Sequence, residues 1–156
     1  MATKIEVGGA GWMEAHRDLY LKTDGAEGQF VDFGRAGGSA ETPCLILKTT
    51  GRRSGEAKLL PLIYGKDGDN FVIVASKGGA PKHPAWYLNL DANPEVEFQV
   101  GAKKHRGKAR TAAGAERERL FKMMEGVFPP YTAYQARTDR RIPVVVLEPK
   151  AEIDRL

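Results

Sequence analysis

Thr49 to Gly55, read as TTGRRSG, carries the densest chemistry in the chain: two threonines, then two arginines and a serine set between glycines. Arginine makes bidentate, charge-assisted bonds to phosphate-like oxyanions. Glycine lets backbone N–H groups come close to such a ligand. The stretch is neither a P-loop, which needs GxxxxGK followed by Ser or Thr, nor the GxGxxG of a dinucleotide fold. From these residues alone it reads equally as an anion cradle or as a polar hairpin turn.

Three further groups have types and spacings that could serve a ligand. Ser76 and Lys77 follow an apolar run, where a chain turning away leaves N–H groups free; serine is also a common turn former. Trp86 and Asn89 lie three apart on a short helical segment and share a face. Trp86 suits stacking beside a ring and equally suits core packing. Tyr131 and Tyr134 are also three apart, entered through Pro129-Pro130, and could offer two phenols to one cleft. No metal site is expected. His16, His83 and His105 are far apart, and Cys44 is the sole cysteine, which excludes an internal disulfide and a thiolate cluster.

The elements that must position these residues are short. Gly11 to Thr23 has the spacing of an amphipathic helix, with Trp12, Met13, His16, Leu19 and Tyr20 on its apolar side and Asp24-Gly25 as its stop. Residues 25–41 are glycine-rich and expected to be a flexible connector. Strands are expected over 44–49, 57–65, 71–76, 95–100, 103–111 and 142–149, with Pro61 marking an edge or a bulge. Helices are expected over 84–90, 115–127 and 131–137. Tight turns between successive strands favour an antiparallel barrel or sandwich over a doubly wound sheet.

Bulk properties agree. The 156 residues suit one domain, and 42% hydrophobic with 28% charged residues is a globular composition. No apolar run approaches the roughly 18 residues of a spanning helix, and no signal-peptide core is seen, so a cytoplasmic protein is expected. The net charge is +4. Lys104, Arg106, Lys108 and Arg110 would project from one face of a strand, as a solvated face or a surface for an anionic partner.

TTGRRSG at 49–55, ASKGG at 75–79, HPAWYLNLDANP at 83–94 and FPPYTAYQARTDRRIPVVVLEP at 128–149, taken in this order, closely resemble the deazaflavin (coenzyme F420)-dependent nitroreductase family. The resemblance spans roughly residues 43–149. It implies an α+β, mainly β fold, a split antiparallel β-barrel of about six strands with peripheral helices. Residues 1–40 would form the amphipathic helix and connector, and 41–156 the F420-binding barrel.

F420 carries a deazaflavin ring, a phosphate and an acidic tail. By the family pattern, Arg52, Arg53, Ser54, Gly55 and Lys58 would hold the phosphate. Lys58 stands where many relatives carry arginine, keeping the charge and losing the fork. Pro61, Ala75, Ser76, Lys77, Trp86 and Asn89 would contact the coenzyme. Ile63, Phe128, Tyr131 and Tyr134 would line the substrate pocket. Tyr131, Tyr134 or Ser76 would hydrogen-bond the reduced group. Ile63 and Phe128 replace tyrosines of the best-known nitroreductase pattern, which makes the pocket more apolar.

The implied activity is hydride transfer from reduced F420 to a quinone, an enone or unsaturated lactone, or a nitroaromatic. Rivals are an FMN-binding split-barrel oxidoreductase, a non-catalytic F420-binding protein and a nucleic-acid-binding barrel. The last lacks aromatics interleaved with the basic run, so no nucleic-acid partner is expected. The N-terminal helix either caps the barrel or rests peripherally on the inner face of a membrane.

Overall fold

The computed structural model describes residues 2–156. Its elements are α1 (Trp12–Lys22), β1 (Phe30–Val31), β2 (Thr42–Thr50), β3 (Ala57–Ile63), β4 (Gly65–Asp67) and β5 (Asn70–Val74), then α2 (Ala85–Ala92), β6 (Glu95–Val100), β7 (Lys103–Thr111), α3 (Gly114–Val127), α4 (Pro130–Ala136) and β8 (Val144–Ile153). The strands form one antiparallel sheet in the order β1-β2-β6-β7-β8-β5-β4, with β3 on the other edge of β2. The sheet curls into a half-barrel with the helices around it.

Hydrophobic patterning explains which strands are central. β5 and the first four residues of β8 are buried on both faces and so read as apolar runs. Val72, Val74, Val144 and Val146 face one core, shared with Leu120, Met124 and Phe128. Phe71, Ile73, Val145 and Leu147 face the barrel interior, beside Leu45, Phe98 and Trp86. β7 instead alternates: Gly107 and Ala109 point inward while Arg106 and Lys108 stay exposed. Pro61 sits on β3, whose one strand partner among the described residues is β2. The bond from the Tyr64 N–H to the Pro43 carbonyl makes Ile46↔Pro61 a non-hydrogen-bonded pair, so the missing N–H leaves no gap in the ladder.

Two differences from the sequence expectation stand out. β1 and β4 have two and three residues, too short for propensity to announce. The expected connector at 25–41, though mostly exposed, is anchored to the core. Val31 and Phe33 are buried, and β1 pairs with β2 through Phe30↔Pro43 and Val31↔Thr42. Glycines in this stretch supply turns, which looks like flexibility in a sequence.

Upstream of it, α1 is fixed by Tyr20. Its phenol accepts from the Gly101 N–H at 2.8 Å and lies 3.0 Å from the Cys44 carbonyl and 3.3 Å from that of Gln99. The basic strand β7 is partly neutralised: Lys104 pairs with Asp24 at 2.5 Å, and Arg110 with Glu116 and Glu148 at 2.6 and 3.0 Å.

Candidate active site

The β2–β3 turn is tied back on itself. The Gly51 N–H donates to the Glu56 carbonyl at 2.7 Å, the Gly55 N–H donates to the Gly51 carbonyl at 2.9 Å, and Gly55 adopts φ +73°. That closure leaves Arg52, Arg53 and Ser54 exposed at the tip. The turn is braced by α2. Asn89 Oδ1 accepts from the Arg52 N–H at 3.2 Å and from Arg52 Nη1 at 3.0 Å, and Asn89 Nδ2 lies 3.5 Å from Thr49 Oγ1. Lys58, on the first turn of β3, is exposed and lies 3.5 Å from Glu56. Together Arg52, Arg53, Ser54, Lys58, Trp86 and Asn89 border an open, cation-rimmed cavity of about 410 Å³.

Leu60 and Trp86 border this cavity on one side and a second one, of about 370 Å³, on the other. The second cavity is walled by Pro61 and Ile63 of β3, by Ser76 and Lys77 after β5, and by Phe128, Tyr131 and Tyr134. Its aromatic wall is a connected cluster. Phe128 lies 5.9 Å from Phe33 and 5.1 Å from Tyr131, and Tyr131 lies 6.2 Å from Tyr134, all at steep interplanar angles. Edge-to-face contacts of this kind hold rings in fixed orientations. Arg137 sits over the Tyr134 ring at 5.6 Å from its centroid.

Electrostatics favour the neutral phenol. Burial pushes the Tyr131 hydroxyl well above its ordinary pKa, so it is a hydrogen-bond donor throughout the physiological range. The Cys44 thiol borders the same cavity and is likewise pushed up by burial, which removes thiolate chemistry there.

The structure therefore brings Pro61, Ile63, Ser76, Lys77, Trp86, Phe128, Tyr131 and Tyr134 to one cavity, and the cationic turn residues to its neighbour. Two of the expected contact residues are placed otherwise. Gly55 shapes the turn, and the Ala75 side chain is fully buried in the barrel core. Asn89 is directed at Arg52 and Thr49, its carbonyl oxygen taken by the turn.

Sequence reasoning missed the contribution of the N-terminal segment. Trp12, Met13 and His16 of α1, with Phe33, border the aromatic cavity, and the Trp12 and Phe33 ring centroids are 6.2 Å apart. The apolar face of α1 was legible; its target was not, because the intervening glycine-rich stretch hides the path of the chain. Among the described residues no group of three or more His, Cys, Asp or Glu side chains could hold a metal.

Comparisons with known proteins agree in family and fold. A family model described as F420H(2)-dependent quinone reductase matches residues 12–149, from the first residue of α1 into β8. An F420H(2)-dependent quinone reductase of Mycobacterium tuberculosis is 40% identical over 138 residues, covering 86% of this chain and 88% of that protein. A solved F420-H2 dependent reductase is 44% identical with a TM-score of 0.64, over 68% of this chain and 94% of that one. A structure described as a domain-swapped dimer is 36% identical with a TM-score of 0.66, over 86% and 96% of the two chains.

Proposed function

The chain belongs to the F420H(2)-dependent quinone reductase family, and from that premise we propose that the aromatic cavity is where it reduces a quinone. It is an F420-dependent oxidoreductase of the split-barrel fold, passing a hydride to an electron-poor small molecule. Family membership selects F420 over FMN among the cofactors the fold could accommodate.

The residues present fit the coenzyme. One observation carries this reading: a cation-rimmed cavity and an aromatic cavity meet at Trp86 and Leu60. F420 has the same polarity, an anionic arm joined to a flat heteroaromatic ring. Arg52, Arg53, Ser54 and Lys58 would hold the phosphate, with Gly55 setting the turn and Asn89 keeping Arg52 in place. Trp86 and Pro61 would flank the ring. When bound, reduced F420 supplies the hydride.

This chain's own residues do the rest. Tyr134 and Tyr131 offer O–H donors beside the acceptor, and Ser76 offers a third hydroxyl. Donors aimed at an oxygen that gains charge stabilise the transition state more than the ground state. Neither phenol need ionise; burial makes proton loss from Tyr131 unfavourable. Trp12, Phe33 and Phe128 give the cavity an apolar wall that would limit water around a bound ring. Ile63 and Phe128 present no hydroxyl at their two positions, which suits an apolar ring such as a quinone better than a more polar acceptor.

We read α1 as a cap on this cavity. His16 and Tyr20 are buried and Trp12 is half-buried, leaving Met13 and Leu21 as its exposed large apolar side chains, too few for a membrane-binding face. Among the described residues no helix is long and apolar enough to cross a membrane.

The test is direct. F420 and FMN are titrated separately by ligand fluorescence, and a soluble naphthoquinone is then added to the reduced F420 complex. F420 binding followed by quinone-dependent oxidation of the coenzyme supports the reading. Tight FMN binding with indifference to F420, or F420 binding without turnover of any quinone, contradicts it.

A further inference from the structure

The chain between β5 and α2 is held in a conformation it would not adopt alone. Lys77, Gly78 and Gly79 have φ of +46°, +63° and +81°. A lysine at positive φ is strained and persists only where the surroundings impose it. A Cβ on Gly79 would come within 2.6 Å of the Tyr134 carbonyl oxygen, so the turn also lies hard against α4.

Besides backbone bonds from the Gly79 N–H to the Ser76 carbonyl and from the Ala80 N–H to that of Lys77, the turn is held by Arg140, in the segment between α4 and β8. Its Nη1 donates to the Ala75 carbonyl at 3.2 Å, its Nη2 to that of Ser76 at 2.6 Å and its Nε to that of Ala80 at 2.7 Å. Nη1 also donates to His83 Nδ1 at 2.9 Å. Arg137 adds a bond from Nη1 to the Gly78 carbonyl at 3.0 Å. One half-buried guanidinium therefore grips three carbonyls of a six-residue turn.

A trans peptide places its carbonyl and the following N–H on opposite sides. Among the described residues no peptide is cis. With the Ala75 and Ser76 carbonyls drawn to Arg140, the N–H groups of Ser76 and Lys77 face away from it. Neither meets an acceptor among the described residues, and both residues border the aromatic cavity. Arg140 itself borders a separate surface cavity with Arg52, Lys82 and His83.

We propose that Arg140 is a positioning residue: by holding three carbonyls on its own side, it directs the Ser76 and Lys77 N–H pair into the cavity to bind an electron-rich oxygen of the ligand ring. The inference rests on the reading that this cavity receives the F420 ring. Only arginine serves here, since a lysine ammonium cannot fork to three carbonyls in one plane.

The test compares the wild-type chain with Arg140→Lys and Arg140→Ala by F420 fluorescence titration, and by hydrogen exchange of the 75–80 amides without coenzyme. Arg140→Lys should raise the dissociation constant for F420 about 10-fold and speed exchange at 75–80. The KM for quinone at saturating coenzyme should stay within about twofold. Added guanidinium ion should recover part of the affinity of Arg140→Ala. Should Arg140→Ala fail to fold, Arg140→Lys, which keeps charge and reach, carries the comparison.

F420 affinity of Arg140→Lys within twofold of wild type, or unchanged exchange at 75–80, overturns the proposal. Failure of the wild-type chain to bind F420 overturns the underlying reading instead, and the coenzyme-free exchange comparison still decides whether Arg140 fixes the turn.

Discussion

The side-chain oxygen of Asn89 accepts two hydrogen bonds from Arg52, one from its backbone N–H at 3.2 Å and one from Nη1 at 3.0 Å. A helix in the α2 layer thereby fixes the conformation of the β2–β3 turn and the direction of one of its cations. Asn89 acts on the anion cradle through Arg52. Substituting Asn89→Leu removes the acceptor and leaves the part-buried Arg52 N–H without its partner, a loss of ~1 kcal/mol. F420 binding by fluorescence should weaken by roughly 10-fold, with the KM for quinone unchanged. Unaltered F420 affinity would show that the turn needs no brace.

Tyr134 is half-buried at the cavity wall, with Arg137 over its ring. Tyr134→Phe keeps the ring and its contacts with Phe128 and Tyr131 while deleting the donor. Coenzyme affinity should be retained and kcat should fall by about 10-fold or more, as for loss of a bond to developing charge. Steady-state kinetics with matched F420 titrations separate the two quantities. Equal loss of both would assign Tyr134 to the coenzyme.

Trp12 on α1 borders the aromatic cavity and packs edge-on against Phe33. Trp12→Ala opens that wall to water and removes apolar contact area, so the KM for a naphthoquinone should rise roughly 5- to 20-fold, the range that a few buried methylenes are worth. F420 affinity should change less than the quinone KM, because Arg52, Arg53, Ser54 and Lys58 border the other cavity, which Trp12 does not reach. A matching liposome-flotation assay should show no difference between the variant and the wild type.

Acid should destabilise the fold through its histidines. Burial lowers the pKa of all three. At His16 the Gly28 carbonyl opposes the shift; at His83 Arg140 adds to it and Asp91 opposes it; at His105 Lys103 and Lys66 add to it and Glu152 opposes it. The unfolded chain therefore binds protons near pH 6.5 that the folded chain still refuses. Stability is intact above that pH and declines as the pH falls below it towards the folded-state values. At His83 protonation also cancels the acceptor for Arg140 Nη1 and sets a second cation beside the guanidinium. Calorimetric Tm should be flat from pH 8 to 7 and drop between 6.5 and 5, above the range where Glu116 and Glu148 begin to protonate. A Tm that held steady down to pH 5 would contradict the burial of these rings.

Much of the architecture was legible because its determinants are local. Apolar runs identified β2, β5 and β8, proline placed β3 at an edge, and turn residues marked the β6–β7 hairpin. The motif residues Ser76, Trp86, Tyr131 and Tyr134 were recognisable as a set, and the fold delivers them to one cavity. Other features were not readable because they depend on distant contacts. Nothing near Arg140 announces that it faces carbonyls some 60 positions earlier. The family pattern points Asn89 at the coenzyme, and nothing in the local sequence shows that it also bonds Arg52, 37 residues upstream. The glycines of 25–41 resemble a loose linker, yet they carry Val31 and Phe33 into the core.

A crystal structure of the chain with F420 tests the central claim most directly. The account predicts the coenzyme phosphate within hydrogen-bond reach of Arg53 and Lys58, and the ring against Trp86, with Tyr134 beside its open face. Density for the ring outside the cavity bounded by Pro61, Ser76 and Tyr131, with Arg53 and Lys58 turned to solvent, would contradict it.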